Sequence, residues 1–361
     1  MLVRILAPII LLITSSCGTI GYYSQAVGGQ MEILRKQKPI EKVVADPETK
    51  EKLKERLLLV TDIREFALTR LDLPGGKTHY TSYADLGRPY VLWNVFAAPE
   101  FSFKPKTWWY PVVGNLSYRG FFKKEEAKEF LDKLKAEGWD TMAGGVTAYS
   151  TLGYFRDPVL NTFIGNSETQ LAALLFHELT HHRFFLKGDT KFSECLATAV
   201  EQEGLKLWVK HRGSDKLRRE FELFYKKRGD FVALVSKTRN QLNELYESSP
   251  KDTDEQKAHL RKEKQRIIEE MKKRYEVIKE TRWGGDTGYD KWISRDLNNA
   301  HFNTVATYYD LVPGFKKLIR ESDHDFDVFF EKVEELAELP LEERNARLGL
   351  KSEKEETASD G

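Results

Sequence analysis

Apolar residues divide this chain into segments of two periods. Over 46–71, Leu53, Leu57, Leu58, Val60, Ile63, Phe66 and Leu68 fall at helical spacing and give one wide apolar face. Pro74-Gly75-Gly76 ends that pattern. Residues 78–121 are rich in aromatic and β-branched residues, broken by Pro and Gly into short runs such as Tyr90-Val91-Leu92-Trp93. They predict strands of a mixed or antiparallel sheet. Residues 123–137 return to helical spacing and stop at Gly138, and 144–152 reads as a further strand. Ser167 and Gln170 form a Ser-x-x-Gln capping signal ahead of Leu171, Leu174, Leu175 and Phe176, which predicts a helix to about Leu186. A second helix is expected from about Lys191, after Gly188.

Residues 214–280 differ in character. Leu217, Phe221, Phe224, Phe231, Val235, Leu242 and Leu245 lie three, four and seven apart. After Ser248-Ser249-Pro250 the same spacing resumes with Leu260, Ile267, Met271, Tyr275 and Ile278. Long charged helices with such seams predict a protruding antiparallel hairpin, a scaffold or channel wall rather than a membrane or partner module. The architecture expected is α+β and helix-rich, with a small mixed sheet in the N-terminal half. One domain is expected over 18–345, with an unstructured charged tail over 346–361.

Composition changes the picture in two places. The 361 residues carry 57 basic and 56 acidic side chains, a balance that gives no reason to expect a nucleic-acid partner. A mean hydropathy of -0.53 excludes a polytopic membrane protein. The first 17 residues stand apart: Arg4, an apolar stretch to Ile13, then Thr14-Ser15-Ser16-Cys17. This reads as an export signal too short to span a bilayer. Small residues before Cys17 resemble a bacterial lipobox, which would acylate Cys17 and hold the protein on the bacterial cell envelope through an N-terminal lipid anchor. The alternatives are cleavage elsewhere or an uncleaved anchor. With Cys17 acylated, Cys195 would have no disulfide partner.

The chemistry centres on His177-Glu178-Leu179-Thr180-His181, an HExxH sequence. On a helix the two imidazoles are one turn apart on one face, a spacing that suits one Zn²⁺ per chain. Glu178 between them is the candidate general base for peptide-bond hydrolysis by zinc-bound water. A catalytic zinc needs a third protein ligand. Glu194 is the best placed, at the start of the returning helix; Glu201, two turns on, is the alternative, or an acceptor for a histidine N–H. His182 is expected to be solvated or hydrogen-bonded behind the ligands.

Several longer blocks accompany the motif: YYSQAVGGQ from Tyr22, YADLGRPYVLWNVFAAPE from Tyr83, PKTW from Pro105, SYRG from Ser117, and GGVTAYSTLGYFRDPVLNTF from Gly144. HELTHH from His177, KGDTKFSECLATAVEQEG from Lys187 and NNAHFNTVATYYDLVPGF from Asn298 complete them. Together they resemble a bacterial family of predicted zinc aminopeptidases that are often lipoproteins. The resemblance implies a zincin-like (gluzincin) metallopeptidase with His177, His181 and Glu194 as ligands; the family's usual Asn-Glu at the third ligand is Ser193-Glu194 here. It implies that the segment from Thr147, with Ala148 and Tyr149, borders the cleft and binds substrate backbone by strand addition. It also implies an oxyanion donor from Tyr308, with Tyr309 and Tyr149 as alternatives. An aminopeptidase needs a group for the substrate's free amine, and Asp157, Glu201 and Asp310 are all open for that role. Two rivals stand beside this reading: a zinc endopeptidase, and a non-catalytic zinc-binding envelope lipoprotein that acts as an interaction module.

Overall fold

The structure is a computed structural model that describes residues 21–110, 114–148, 151 and 155–349, without the side chains of residues 306 and 307. Cys17 and Tyr149, and the tail from residue 350, lie outside the described residues. Helix α1 covers 21–36. It is followed by β1 (Lys38–Pro39), α2 (Ile40–Ala45), α3 (Glu51–Arg70) and a 3-10 turn at Pro74–Lys77. Strands β2 (Ser82–Ala84), β3 (Leu92–Ala98), β4 (Trp108–Tyr110), β5 (Gly114–Leu116) and β6 (Tyr118–Phe121) precede α4 (Lys124–Ala136). Then come β7 (Asp140–Val146), β8 (Val159–Leu160), α5 (Glu168–Arg183), α6 (Thr190–Arg212), α7 (Asp215–Ser248) and α8 (Asp254–Trp283). The C-terminal part holds α9 (Asp290–Ile293), α10 (Asn299–Tyr309), α11 (Val312–Arg320), α12 (Phe326–Ala337) and α13 (Leu341–Arg347). The architecture is helix-rich α+β, and no described helix is long and apolar enough to cross a membrane.

Sheet β6-β3-β7 is antiparallel, β1-β2-β8 is mixed, and β4-β5 form a separate pair. In β3, Val95 and Ala97 pack with Phe121 against Ala127 and Leu134 of α4. Alternation then turns Leu92, Asn94 and Phe96 to the opposite face. In register with them are Val146 beside Leu92, Gly120 and Gly144 beside Asn94, and Tyr118 and Met142 beside Phe96.

Helix α5 is buried almost all round, on Leu171, Ala172, Ala173, Leu175, Phe176, Leu179, Thr180 and His181. Only a core helix reads that way. Its start is the expected capping box: the Gln170 N–H donates to Ser167 Oγ at 3.3 Å, and the Ser167 N–H donates to Gln170 Oε1 at 3.2 Å. Its end is earlier than the periodicity suggests. Phe184 is extended, so the helix stops at Arg183 and 184–189 forms a loop. Ser193 Oγ accepts the Leu186 N–H at 3.1 Å and donates to the Asp189 carbonyl at 3.1 Å, which pins that loop. Asp189 caps α6 by accepting the Phe192 N–H and pairs with Arg344 of α13 at 2.6 Å.

Contacts between α5 and α6 run in reverse order: Glu194 with His181, Glu201 with His177, Trp208 with Glu168. The two helices are therefore antiparallel. Gly204 is where α6 meets Leu71 and Phe176; a Cβ there would lie 2.7 Å from Leu71 Cδ1 and 3.2 Å from Phe176 Cδ2.

Three expectations need correction. The strand predicted over 144–152 is β7, which begins earlier and ends at Val146, with Thr147 in a bend. The hairpin of α7 and α8 does not simply protrude. Phe231, Val235, Leu242, Ile268, Met271 and Tyr275 share a core cluster with Phe103, Phe302 and Val305, so its inner face is seated on α10 and the segment after β3. The chain also stays ordered past residue 346: α13 runs to Arg347, and Leu348 joins the main core.

Replacing Gly204 with Val should destabilise the protein by about 1–3 kcal/mol, because two branched methyls must enter a packed contact. Urea unfolding measures it; an unchanged midpoint would show that the approach of α6 to Leu71 is not tight.

Candidate metal centre and cleft

His177 and His181 project from one face of α5, with ring centroids 5.0 Å apart. Glu194 reaches back from the start of α6, placing Oε2 3.1 Å from His177 Nε2 and 3.6 Å from His181 Nε2. One donor atom from each residue lies within 4.8 Å of the others, a spacing that could hold a metal ion. His181 and Glu194 are only 7 % and 8 % exposed. Two imidazoles and a carboxylate are a donor set suited to zinc.

The electrostatics of the three groups fit a cation. Burial favours neutral forms, and it alone would lower His177 and raise Glu194. The hydrogen bonds of His177 to Glu194 and Glu201 outweigh it and hold the imidazole up to about 10. The charge of His181 and the bond to His177 likewise override burial and keep Glu194 well below the usual carboxylate range. Both shifts favour a positive charge between these side chains.

Glu201 does not point at the shared donor position. Its Oε2 lies 3.4 Å from His177 Nδ1, on the far side of the ring, where it can accept that N–H. Arg228 of α7 pairs with Glu201, and the Tyr225 hydroxyl donates to Glu201 Oε1 at 3.2 Å. Burial would raise Glu201, yet the Arg228 charge and the His177 bond pull it down to about 2. A carboxylate behind a ligand histidine fixes its tautomer and ring angle. His181 Nδ1 has no such partner among the described residues.

His177, His181 and Glu194 open onto a cavity of about 310 Å³. Its wall includes His177, Glu178, His181 and Glu194 from the helix pair, Leu92, Asn94, Tyr118 and Gly120 from the sheet, and Tyr22 from α1. Tyr308 of α10 also lines it, with its ring centroid 6.1 Å from that of His177. Glu178 is raised from its ordinary value by burial first, with the two histidine charges working against that. The charge of Glu194, then burial, push the Tyr308 phenol far up, so it is a donor at neutral pH. Tyr118 moves the same way through burial and the charges of Glu194 and Glu178.

The structure separates the remaining candidates. Ala148 lines the cavity; Thr147 does not appear in its wall, and its carbonyl accepts the Thr162 hydroxyl. Tyr309 turns away and accepts a hydrogen bond from Arg228. None of the acids considered for the substrate amine borders the cavity. Glu201 is held by Arg228, and Asp310 pairs with Lys191 at 2.7 Å.

Asp157 sits with His79 and His182 in a second group of metal-ligand composition. The atoms of this group are already engaged. His182 Nε2 lies 2.9 Å from Asp157 Oδ2, and His79 Nδ1 accepts the Asp157 main-chain N–H at 3.2 Å. The two rings stack at 3.6 Å and 24°. Burial, then the neighbouring His182, push His79 down to about 4, which suits a neutral acceptor. This group ties residue 79 to α5. His182 is therefore buried and paired, not solvated; its imidazole is 2 % exposed.

Among the cavity residues that the sequence did not single out are Tyr22, Asn94, Tyr110 and Tyr118. Tyr22 carries the Arg119 guanidinium 3.9 Å above its ring, and its hydroxyl lies 3.4 Å from that of Tyr110. The usable signal was Asn94, a polar residue inside the apolar run Val91-Leu92-Trp93-Asn94-Val95-Phe96.

No curated protein and no solved structure matches the chain. A family profile does, over residues 21–348, which spans every described element from α1 to α13 and all the cavity residues above. The chain belongs to the family described as "Putative aminopeptidase".

Proposed function

We propose that this protein is a zinc-dependent peptidase of the zincin type, with His177, His181 and Glu194 as metal ligands and Glu178 as general base. The observation that carries it is the meeting of two imidazoles and one carboxylate at a cavity that Glu178 also lines. Zinc, when bound there, supplies Lewis acidity toward water and the scissile carbonyl. Glu178 takes the proton of the attacking water and returns it to the leaving amine; its raised affinity for protons suits that exchange. Tyr308 donates its phenol hydrogen to the developing oxyanion. Glu201, anchored by Arg228, keeps the His177 ring turned so that Nε2 faces the ligand position.

Family membership supports cleavage at a free N-terminus. One observation favours the endopeptidase reading instead: among the described residues of the cavity wall, the carboxylates are Glu178 and Glu194, both already assigned. Free and N-acetylated forms of one peptide separate the two. An aminopeptidase leaves the acetylated form intact; turnover of both at similar rates would establish an endopeptidase.

Glu178→Gln should keep its zinc and lose hydrolysis by about 10² or more. Tyr308→Phe should also keep zinc and lose turnover, and His181→Ala should lose the metal itself. Peptide assays alongside elemental analysis read all three. Unchanged rates in zinc-loaded Glu178→Gln would instead favour the non-catalytic zinc-binding protein.

Metal uptake carries a pH signature. The His177 pKa is raised to about 10 against an ordinary 6.5, so the metal-free chain holds that proton at neutral pH and loses it only as pH climbs through 10. Zinc must displace it, so uptake at pH 7 should release about one proton and weaken as pH falls. Calorimetry in two buffers of different ionisation heat measures the release; a value of zero would contradict the assignment of His177.

A further inference from the structure

Asn94 occupies an unusual place. It lies mid-strand in β3, the centre of its sheet, on the face turned to the cavity. Asparagine is disfavoured in strands, and a buried amide oxygen normally finds a donor. Asn94 Oδ1 is buried and finds none among the described residues. Its cross-strand neighbours are both glycines, Gly120 on β6 and Gly144 on β7. A Cβ on Gly120 would stand 3.2 Å from Asn94 Oδ1. Glycine inside a strand weakens it, and often marks a place where another backbone comes close. Three residues unfavourable to a sheet thus form one row, Gly120-Asn94-Gly144, of which Gly120 and Asn94 line the cavity. Stability of the sheet does not explain the row; close approach of a second main chain does.

We propose that Asn94 is a substrate-binding residue that pairs its side-chain amide with a main-chain amide of an extended peptide, Oδ1 accepting the peptide N–H and Nδ2 donating to a peptide carbonyl. This rests on the peptidase reading above and extends it to the ligand's chemical class. A neutral amide matches a neutral amide, and Gly120 beside it carries no side chain that would crowd Oδ1. Asn94 is a positioning residue: it aligns the peptide without touching the reacting atoms. Because the group it reads is the peptide bond, it treats free and blocked N-termini alike.

The test uses the full zinc-loaded chain carrying Glu178→Gln, which binds without turning over, and a fluorescent peptide in free and N-acetylated forms. Adding Asn94→Ala should weaken both forms by the same factor, about tenfold, the worth of a lost pair of hydrogen bonds. Asn94→Asp should weaken both as well, since it removes the donor. Gly120→Ala, an independent variant, should also weaken both by crowding Oδ1. The thermal midpoint of Asn94→Ala should not fall, because the Oδ1 acceptor has no donor among the described residues to lose; that of Asn94→Asp is no guide, since a carboxylate buried near Glu178 and Glu194 is itself destabilising. Unchanged affinity in Asn94→Ala overturns the proposal. Weaker binding of the free form alone, or tighter binding of that form by Asn94→Asp, would show that Asn94 reads an ammonium group and overturns it equally. Hydrolysis by the chain with native Glu178, assayed in parallel, reports the peptidase reading separately: absence of turnover with an intact Asn94 effect on binding would remove the enzyme and keep the subsite.

Discussion

Glu194 holds a carboxylate between two imidazoles inside a helix pair that water barely reaches. Such a charge is tolerated only when it is paired and hydrogen-bonded, and much of the surrounding fold meets that condition. The antiparallel crossing of α5 and α6 brings position 194 opposite positions 177 and 181. Gly204 lets α6 come close to Leu71 and Phe176, while Ser193 and Arg344 fix the turn between the helices. Behind His177 a further carboxylate, Glu201, is balanced by Arg228, so charges alternate outward from the ligand position.

That alternation gives the α7–α8 hairpin a part in the site. Arg228 belongs to α7, whose inner face shares a core with Phe103 and Phe302. The orientation of the His177 ring therefore depends on a guanidinium carried by an element whose remaining length packs elsewhere. Tyr308 and Tyr309, consecutive on α10, divide between the two sides of this arrangement. Tyr308 faces the cavity, and Tyr309 closes over Arg228.

The helix pair was legible from sequence because local chemistry decides it. A Ser-x-x-Gln start, HExxH on an apolar helix, a glycine loop and a following acid are each short-range signals. The second role of Glu201 was legible only as an option, since choosing it requires knowing which side of His177 the returning helix passes. The cleft was far less legible. Beyond α5 and α6, its wall is assembled from α1, five strands and α10, and whether Tyr22, Tyr118 or Asn94 faces inward depends on sheet register and on the crossing of α1 over Phe122. Periodicity also overran element ends: Phe184 and Thr147 continue an apolar pattern while their backbone leaves it.

Cys195 follows Glu194 directly, so a thiol stands one residue from the carboxylate that faces both imidazoles. Consecutive helical residues diverge by about 100°, and its sulfur turns instead to the Leu311 N–H, 3.4 Å away. Burial pushes this thiol up to about 12, which keeps it protonated in any ordinary medium. Thiolate is the form that captures soft metals and attacks disulfides. A sulfur so near the centre is therefore chemically silent, and exposure to oxidants or stray copper should leave it untouched as long as α6 keeps its neighbours.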